Sequence, residues 1–247
     1  MEPCHYSAEL PGDVKDEQGP IQMIRPASAR PGPIAALFSA ALFSVALLAA
    51  VLAPAPASAH PHVWVTMKSE LVYGADGKLT AVKQSWTFDD AFSAFALQGM
   101  EKQKDGTYGD DVLKPLAEVN VTSLKEYNYF VTGKTATQKL AFKDPTDYFL
   151  TYDNEVLTLH FTLPLEKPAP AKGTTTLEVY DPTVFVSFAF AEKDPVKLVS
   201  APAGCAQEII AAQPPTSSQL SEAFFSNLTS ASTYGAQFAD KITVKCP

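Results

Sequence analysis

Two histidines stand one residue apart in Ala59-His60-Pro61-His62-Val63-Trp64-Val65, directly behind Ala57-Ser58-Ala59. Small residues in an A-x-A-like pattern after an apolar run are what signal peptidase cleaves, so the sequence predicts a mature chain that begins at His60. Cleavage there would give His60 a free α-amine beside its own imidazole, with the His62 imidazole close behind. An α-amine titrates near ~8 and an imidazole near ~6.5 in unperturbed form, so both offer lone pairs near neutral pH at small proton cost. An all-nitrogen set of this kind suits Cu, Ni or Zn. Pro61 removes one common geometry: the square-planar terminal motif uses deprotonated backbone amides and needs an N–H at the second residue, which proline lacks. What remains is a brace, in which the first histidine grips the metal through both amine and ring. The plain alternative is a strand that begins with two exposed polar residues.

Other candidates are fewer. His160 lies in Val156-Leu157-Thr158-Leu159-His160-Phe161-Thr162-Leu163, on the polar side of an alternating strand with Thr158 and Thr162; it is the remaining histidine that could add a ligand, or it is simply hydrogen-bonded there. Asp89 and Asp90 follow a predicted strand and could join or orient a histidine site, although helix capping accounts for one of them equally well. Cys205 and Cys246 form an even pair in a chain that reads as exported, which predicts a disulfide, with two thiolate ligands as the alternative. Glu101 to Val112 does not fit a calcium loop, because the twelfth position is Val112 and cannot supply a bidentate carboxylate. No G-x-S-x-G, H-E-x-x-H or G-x-x-x-x-G-K-[ST] pattern occurs.

The elements that must position these residues follow from period and punctuation. Residues 1–59 read as a leader. A start at Met23 would give it a basic segment containing Arg25 and Arg30, followed by an apolar stretch from Ile34 to Ala53. That stretch is long enough to span a bilayer, so a membrane anchor over residues 34–53 is the alternative to cleavage. Residues 60–247 read as one exported domain. His62 to Tyr73 alternates as a strand, Gly74-Ala75-Asp76-Gly77-Lys78 turns, and Leu79 to Phe88 returns as the second arm of a hairpin. Asp89 opens a short helix, and Asp110 or Asp111 caps a second helix carrying Val112, Leu116 and Val119. Strands are predicted over 127–132, 136–143, 148–152, 156–163, 174–180 and 183–189. The proline-rich 165–173 is predicted to be a surface loop. A late helix near 219–229 and a last strand over 241–245 complete the pattern. The fold class predicted is α+β: mainly antiparallel sheet or sandwich, with two early helices and one late.

Charge narrows the partners. The chain carries 19 Lys and Arg against 27 Asp and Glu, a net charge of −8. A mildly acidic surface of this kind argues against nucleic acid or anionic lipid as the partner, since both call for basic patches.

The motifs together resemble a known family. His60-Pro61-His62-Val63-Trp64-Val65 after a signal-like leader, Trp86-Thr87-Phe88-Asp89-Asp90-Ala91-Phe92-Ser93, Tyr180-Asp181-Pro182-Thr183-Val184-Phe185 and the closing cysteine pair are similar to the DUF1007 family of exported bacterial proteins. The resemblance implies an accessory component at the cell envelope, associated with nickel/cobalt-type or other ABC-linked metal transport and without an established catalytic activity. His60, His62, Asp89 and Asp181 match its pattern. The expected function is therefore that of a periplasmic protein that binds a transition metal ion (Ni, Co, Zn or Cu) and passes it to a membrane transporter. Two alternatives belong to other classes: a histidine-brace copper oxidoreductase, which would need a third histidine that only His160 could supply, and a metal-free domain that docks on a transporter.

Overall fold

The computed structural model describes residues 61–213 and 222–247. The predicted leader, His60 and the start of the predicted late helix lie outside the described residues. So does the apolar stretch 34–53. Among the described residues no helix is long and apolar enough to cross a membrane.

Alternation builds the first sheet. β1 (Val63–Tyr73) and β2 (Lys78–Phe88) pair antiparallel from Val65↔Phe88 to Tyr73↔Leu79. They are joined by the predicted turn, in which Gly77 takes a positive φ of 73° and Asp76 accepts from the Lys78 amide. Odd-numbered positions of β1 face inward and even-numbered ones outward, the period-2 signature of a sheet with one buried face. β4 (Tyr148–Asp153) and β5 (Val156–Pro170) extend the sheet beside β2, and β7 (Val186–Phe190) and β8 (Val196–Val199) run parallel to the two halves of β1. The strand order is β4-β5-β2-β1-β7, with β8 also on β1. The second sheet, β3-β6-β10-β9, comprises β3 (Val131–Thr135), β6 (Gly173–Val179), β10 (Lys241–Cys246) and β9 (Ala206–Ile210).

Inward side chains of both sheets form one apolar core. Trp86, 1% exposed, packs edge-on against Phe161 and Phe188 and lies stacked at 6.3 Å from Phe130. Its indole N–H donates to Gln84 Oε1, which also accepts from the Ser69 hydroxyl. The outer face of the first sheet is polar: Thr66, Thr87, Thr158 and Thr151 share one rung across four strands. α1 (Asp90–Ala96) and α2 (Asp110–Leu124) are the two early helices, and α1 docks through Ser93 Oγ, which accepts from the Leu157 amide. The late helix, α3, covers Glu222–Phe225. The fold is α+β, with largely antiparallel sheets and these short helices.

Several expectations are corrected. Residues 127–130 form a tight 3-10 turn instead of a strand, with positive φ at Asn128, Tyr129 and Phe130. Each left-handed residue costs roughly 1 kcal/mol or more. The turn is held by Tyr129 Oη donating to Asp144, Asn128 donating to the Val131 carbonyl, and Phe130 packing into the Trp86 cluster. Residues 136–143 contribute only isolated bridges, Lys134↔Lys139 and Phe142↔Leu165. The proline-rich segment is strand after all: β5 runs to Pro170, paired with Lys78 and Leu79, and buries Ala169. Pro168 and Pro170 lie beyond the reach of β4, so their missing N–H groups break no ladder there. Gly109, not Asp110 or Asp111, is the N-cap of α2, and residues 181–185 form a turn before β7.

Candidate functional site

The start of β1 is held from both sides by carboxylates. On the β2 side, Asp89 donates its amide to the Trp64 carbonyl and accepts the Trp64 amide at 2.8 Å through Oδ2, while Oδ1 accepts from Phe92 N at 2.8 Å. Asp89 thus closes the β1–β2 ladder and N-caps α1 with the same side chain. On the other side Asp181, 3% exposed, folds the turn into β7. Its Oδ1 accepts from Thr183 N and Thr183 Oγ1, both at 2.7 Å; its Oδ2 accepts from Phe185 N at 3.1 Å and Val186 N at 3.0 Å. Four donors around one buried carboxylate are what make its burial affordable. The Phe185 carbonyl then accepts the amides of His62 at 2.8 Å and Val63 at 3.3 Å.

His62 itself is exposed, with its ring stacked on Phe185 at 4.6 Å and 27°. Its backbone N–H donates to the Phe185 carbonyl, and its imidazole is the side-chain group at this end of a type that ligates transition metals. The three motif segments therefore meet at one strand end, and sequence reasoning had no means of seeing that Asp181 reaches it. The Asp-Pro-Thr triplet was a legible turn signal. The residue that reasoning missed is Phe185, which it placed inside a strand.

Asp181 accepts two hydrogen bonds on each oxygen, so as a ligand it would have to break bonds that shape the site; Asp89 accepts one on each, from Trp64 N and Phe92 N. Both carboxylates position His62. His160 is elsewhere. It pairs with Ser85, which pairs with Lys68, six residues along β1 from His62, a separation of about 20 Å along the strand alone. Its Nδ1 lies 3.0 Å from Ser85 Oγ and its Nε2 3.1 Å from Thr151 Oγ1, and it stacks on Phe149 at 4.6 Å. Both ring nitrogens are engaged, and burial pushes its pKa down, so the expectation of a third histidine ligand gives way to a hydrogen-bonded sheet residue. Among the described residues no three His, Cys, Asp or Glu side chains come together as a metal cluster. Among the described residues His62 carries the imidazole at this strand end, and His60 lies outside the described residues.

Cys205 and Cys246 are joined in a disulfide that ties the start of β9 to the end of β10. This excludes them as thiolate ligands.

Comparison with known proteins gives a family and no activity. A family model described as "Protein of unknown function (DUF1007)" matches residues 45–246. An uncharacterized protein of Haemophilus influenzae is 24% identical over 194 residues, covering 76% of this chain and 91% of its own. An uncharacterized 15.5 kDa protein from the trpE 3′ region of Spirochaeta aurantia is 30% identical over 94 residues, covering 38% of this chain and 67% of its own. Among solved structures, the N-terminal part of the bacterial S-layer protein SbsC matches 73% of this chain and 32% of that one, at 15% identity and a TM-score of 0.23. A likeness of that degree carries no argument here.

Proposed function

This chain belongs to the DUF1007 family, and from that premise we propose that it is an exported, periplasmic protein that binds a transition metal ion as cargo and hands it to a membrane transporter. The observation that supports the reading is the convergence of the His62, Asp89 and Asp181 motifs on one strand end. That end is braced by backbone hydrogen bonds on both sides and presents an exposed imidazole outward. In this reading the His60 amine and imidazole and the His62 imidazole hold Ni, Co, Zn or Cu. Pro61 has no N–H, and the His62 N–H already donates to Phe185, so amide-based square-planar binding is disfavoured at both positions it would need. Phe185 fixes the plane of the His62 ring by stacking. Asp89 and Asp181 fix the backbone that carries it.

A site of this kind would bind and release cargo without chemistry of its own: nitrogen ligands that lose metal on protonation suit transfer to a partner. The test is titration of the chain beginning at His60 with each of the four metals. Micromolar or tighter binding of at least one, weakened about 10-fold or more in His62→Ala, is expected. A chain that binds none of the four at micromolar concentration removes the proposal.

A further inference from the structure

Behind the His62 platform lies an apolar cavity of about 140 Å³, between the inner face of β1 and β7 and the C-terminal half of α2. Val63, Trp86, Phe92, Leu124, Phe130 and Phe185 are among its walls. Two polar residues reach it, and each hydrogen-bonds to its own helix: Asn120 Nδ2 donates to the Leu116 carbonyl and Ser123 Oγ to the Val119 carbonyl, each at 2.8 Å. Neither a lysine, an arginine nor a carboxylate lines it.

The cavity is partly open to solvent beside Phe185 and the exposed Ser123, while buried Val63, Trp86 and Leu159 form its floor, so apolar walls there face water that an apolar ligand would displace. A polar cavity would be filled by water, which needs two to four partners; this lining offers few. An enclosed engineered apolar cavity of about 150 Å³ takes up benzene, and this partly open one has the volume and the apolar lining for a single aromatic ring. The walls are themselves largely aromatic, which favours edge-on and offset ring contacts. We propose that this cavity is a binding site for a small uncharged aromatic or similarly apolar molecule, entered beside Phe185. The half-exposed Phe185, 45% accessible, is both a wall of the cavity and the ring on which His62 stacks. An occupant is therefore felt at the strand end.

The inference does not depend on metal binding, and its test uses none. The protein is titrated with benzene and with toluene, each followed by thermal unfolding and by NMR of the Trp86 indole N–H and the His62 imidazole. The expected result is saturable binding, a midpoint raised by about 3 °C or more near saturation, and shifts at both reporters. Leu124→Phe, which fills the cavity from the α2 side, should lose the midpoint rise while leaving the unliganded fold intact. If that variant does not fold, Ser123→Met serves the same purpose from the neighbouring position. No saturable shift in the wild-type protein overturns the proposal. So does an equal response in the filled variant, which would mark non-specific partition.

Discussion

Asp181→Asn should loosen the base of the candidate site by an amount the hydrogen-bond geometry sets. The amide keeps the shape and one acceptor oxygen, but its nitrogen must face either the Thr183 pair, where the hydroxyl can turn to accept and the backbone N–H cannot, or the Phe185 and Val186 amides, so at least one backbone donor meets a donor and the other bonds lose their charged acceptor. Hydrogen bonds to a charged group contribute roughly 1.5–3 kcal/mol each. Thr183 and Phe185 are only partly buried, so water recovers part of the loss, and a net destabilisation of about 3 kcal/mol is expected. For a domain of this size that corresponds to a midpoint lowered by roughly 6–12 °C. Urea unfolding gives the energy, with the slope unchanged if the effect lies in the native state. Amide exchange gives the location: His62 and Val63, whose N–H groups donate to the Phe185 carbonyl, should exchange faster, while the β2–β5 ladder keeps its protection relative to the global stability. A loss below about 1 kcal/mol, or exchange accelerated uniformly, would refute the reasoning that this carboxylate organises the strand end.

Other outcomes follow from the same contacts. Replacing Asp89 with Ala removes a helix cap and the Trp64 amide's acceptor and should cost about 2 kcal/mol in urea unfolding, with Asp89→Ser recovering part of it through the cap. The disulfide closes a separation of 41 residues, so Cys205→Ser with Cys246→Ser should lose about 4 kcal/mol in the chain-entropy account, read as a lower midpoint that reductant no longer changes. A methyl at Gly235 would overlap the Asp181 carbonyl, so Gly235→Ala should force the 234–238 turn off that carbonyl and destabilise by about 2 kcal/mol or more. His160 has a folded pKa lowered by burial. The unfolded chain then binds the extra proton, and the stability this residue contributes is complete above about 6.5 and is lost as pH falls through the lowered value. His160→Gln should flatten that part of the stability–pH curve, and NMR titration should place the His160 ring below the ordinary histidine value.

Period-2 alternation made β1, β2, the first half of β5, β6 and β10 legible, because one face of each strand is buried and the other is wet. The cysteine pair was legible for another reason: with Cys4 in the predicted leader, Cys205 and Cys246 are an even pair in an exported-looking domain. Local rules failed where distant contacts decide. Tyr129 and Phe130 carry aromatic, strand-favouring side chains, yet Phe130 packs in the Trp86 cluster with a left-handed backbone. Pro168 and Pro170 read as loop because the sequence does not reveal that β5 is an edge at that point. At the candidate site, His62 and Asp89 were legible as neighbours through the hairpin. Asp181 was visible only through its motif, because its role is to join β7 to β1 across more than a hundred residues. His160 looked like a spare ligand until its two hydroxyl partners, on β2 and β4, were in view.

The central claim concerns the first residue of the mature chain, and the most direct measurement is metal titration of the protein recovered from its native host after its N-terminus has been sequenced, beside the same chain carrying one added alanine before His60. The expected result is a chain that starts at His60, binds one metal ion per molecule, and loses affinity about 10-fold or more when the added residue moves the amine away from the imidazole. A chain that retains residues 34–53, or one whose affinity is unchanged by the extension, would contradict it.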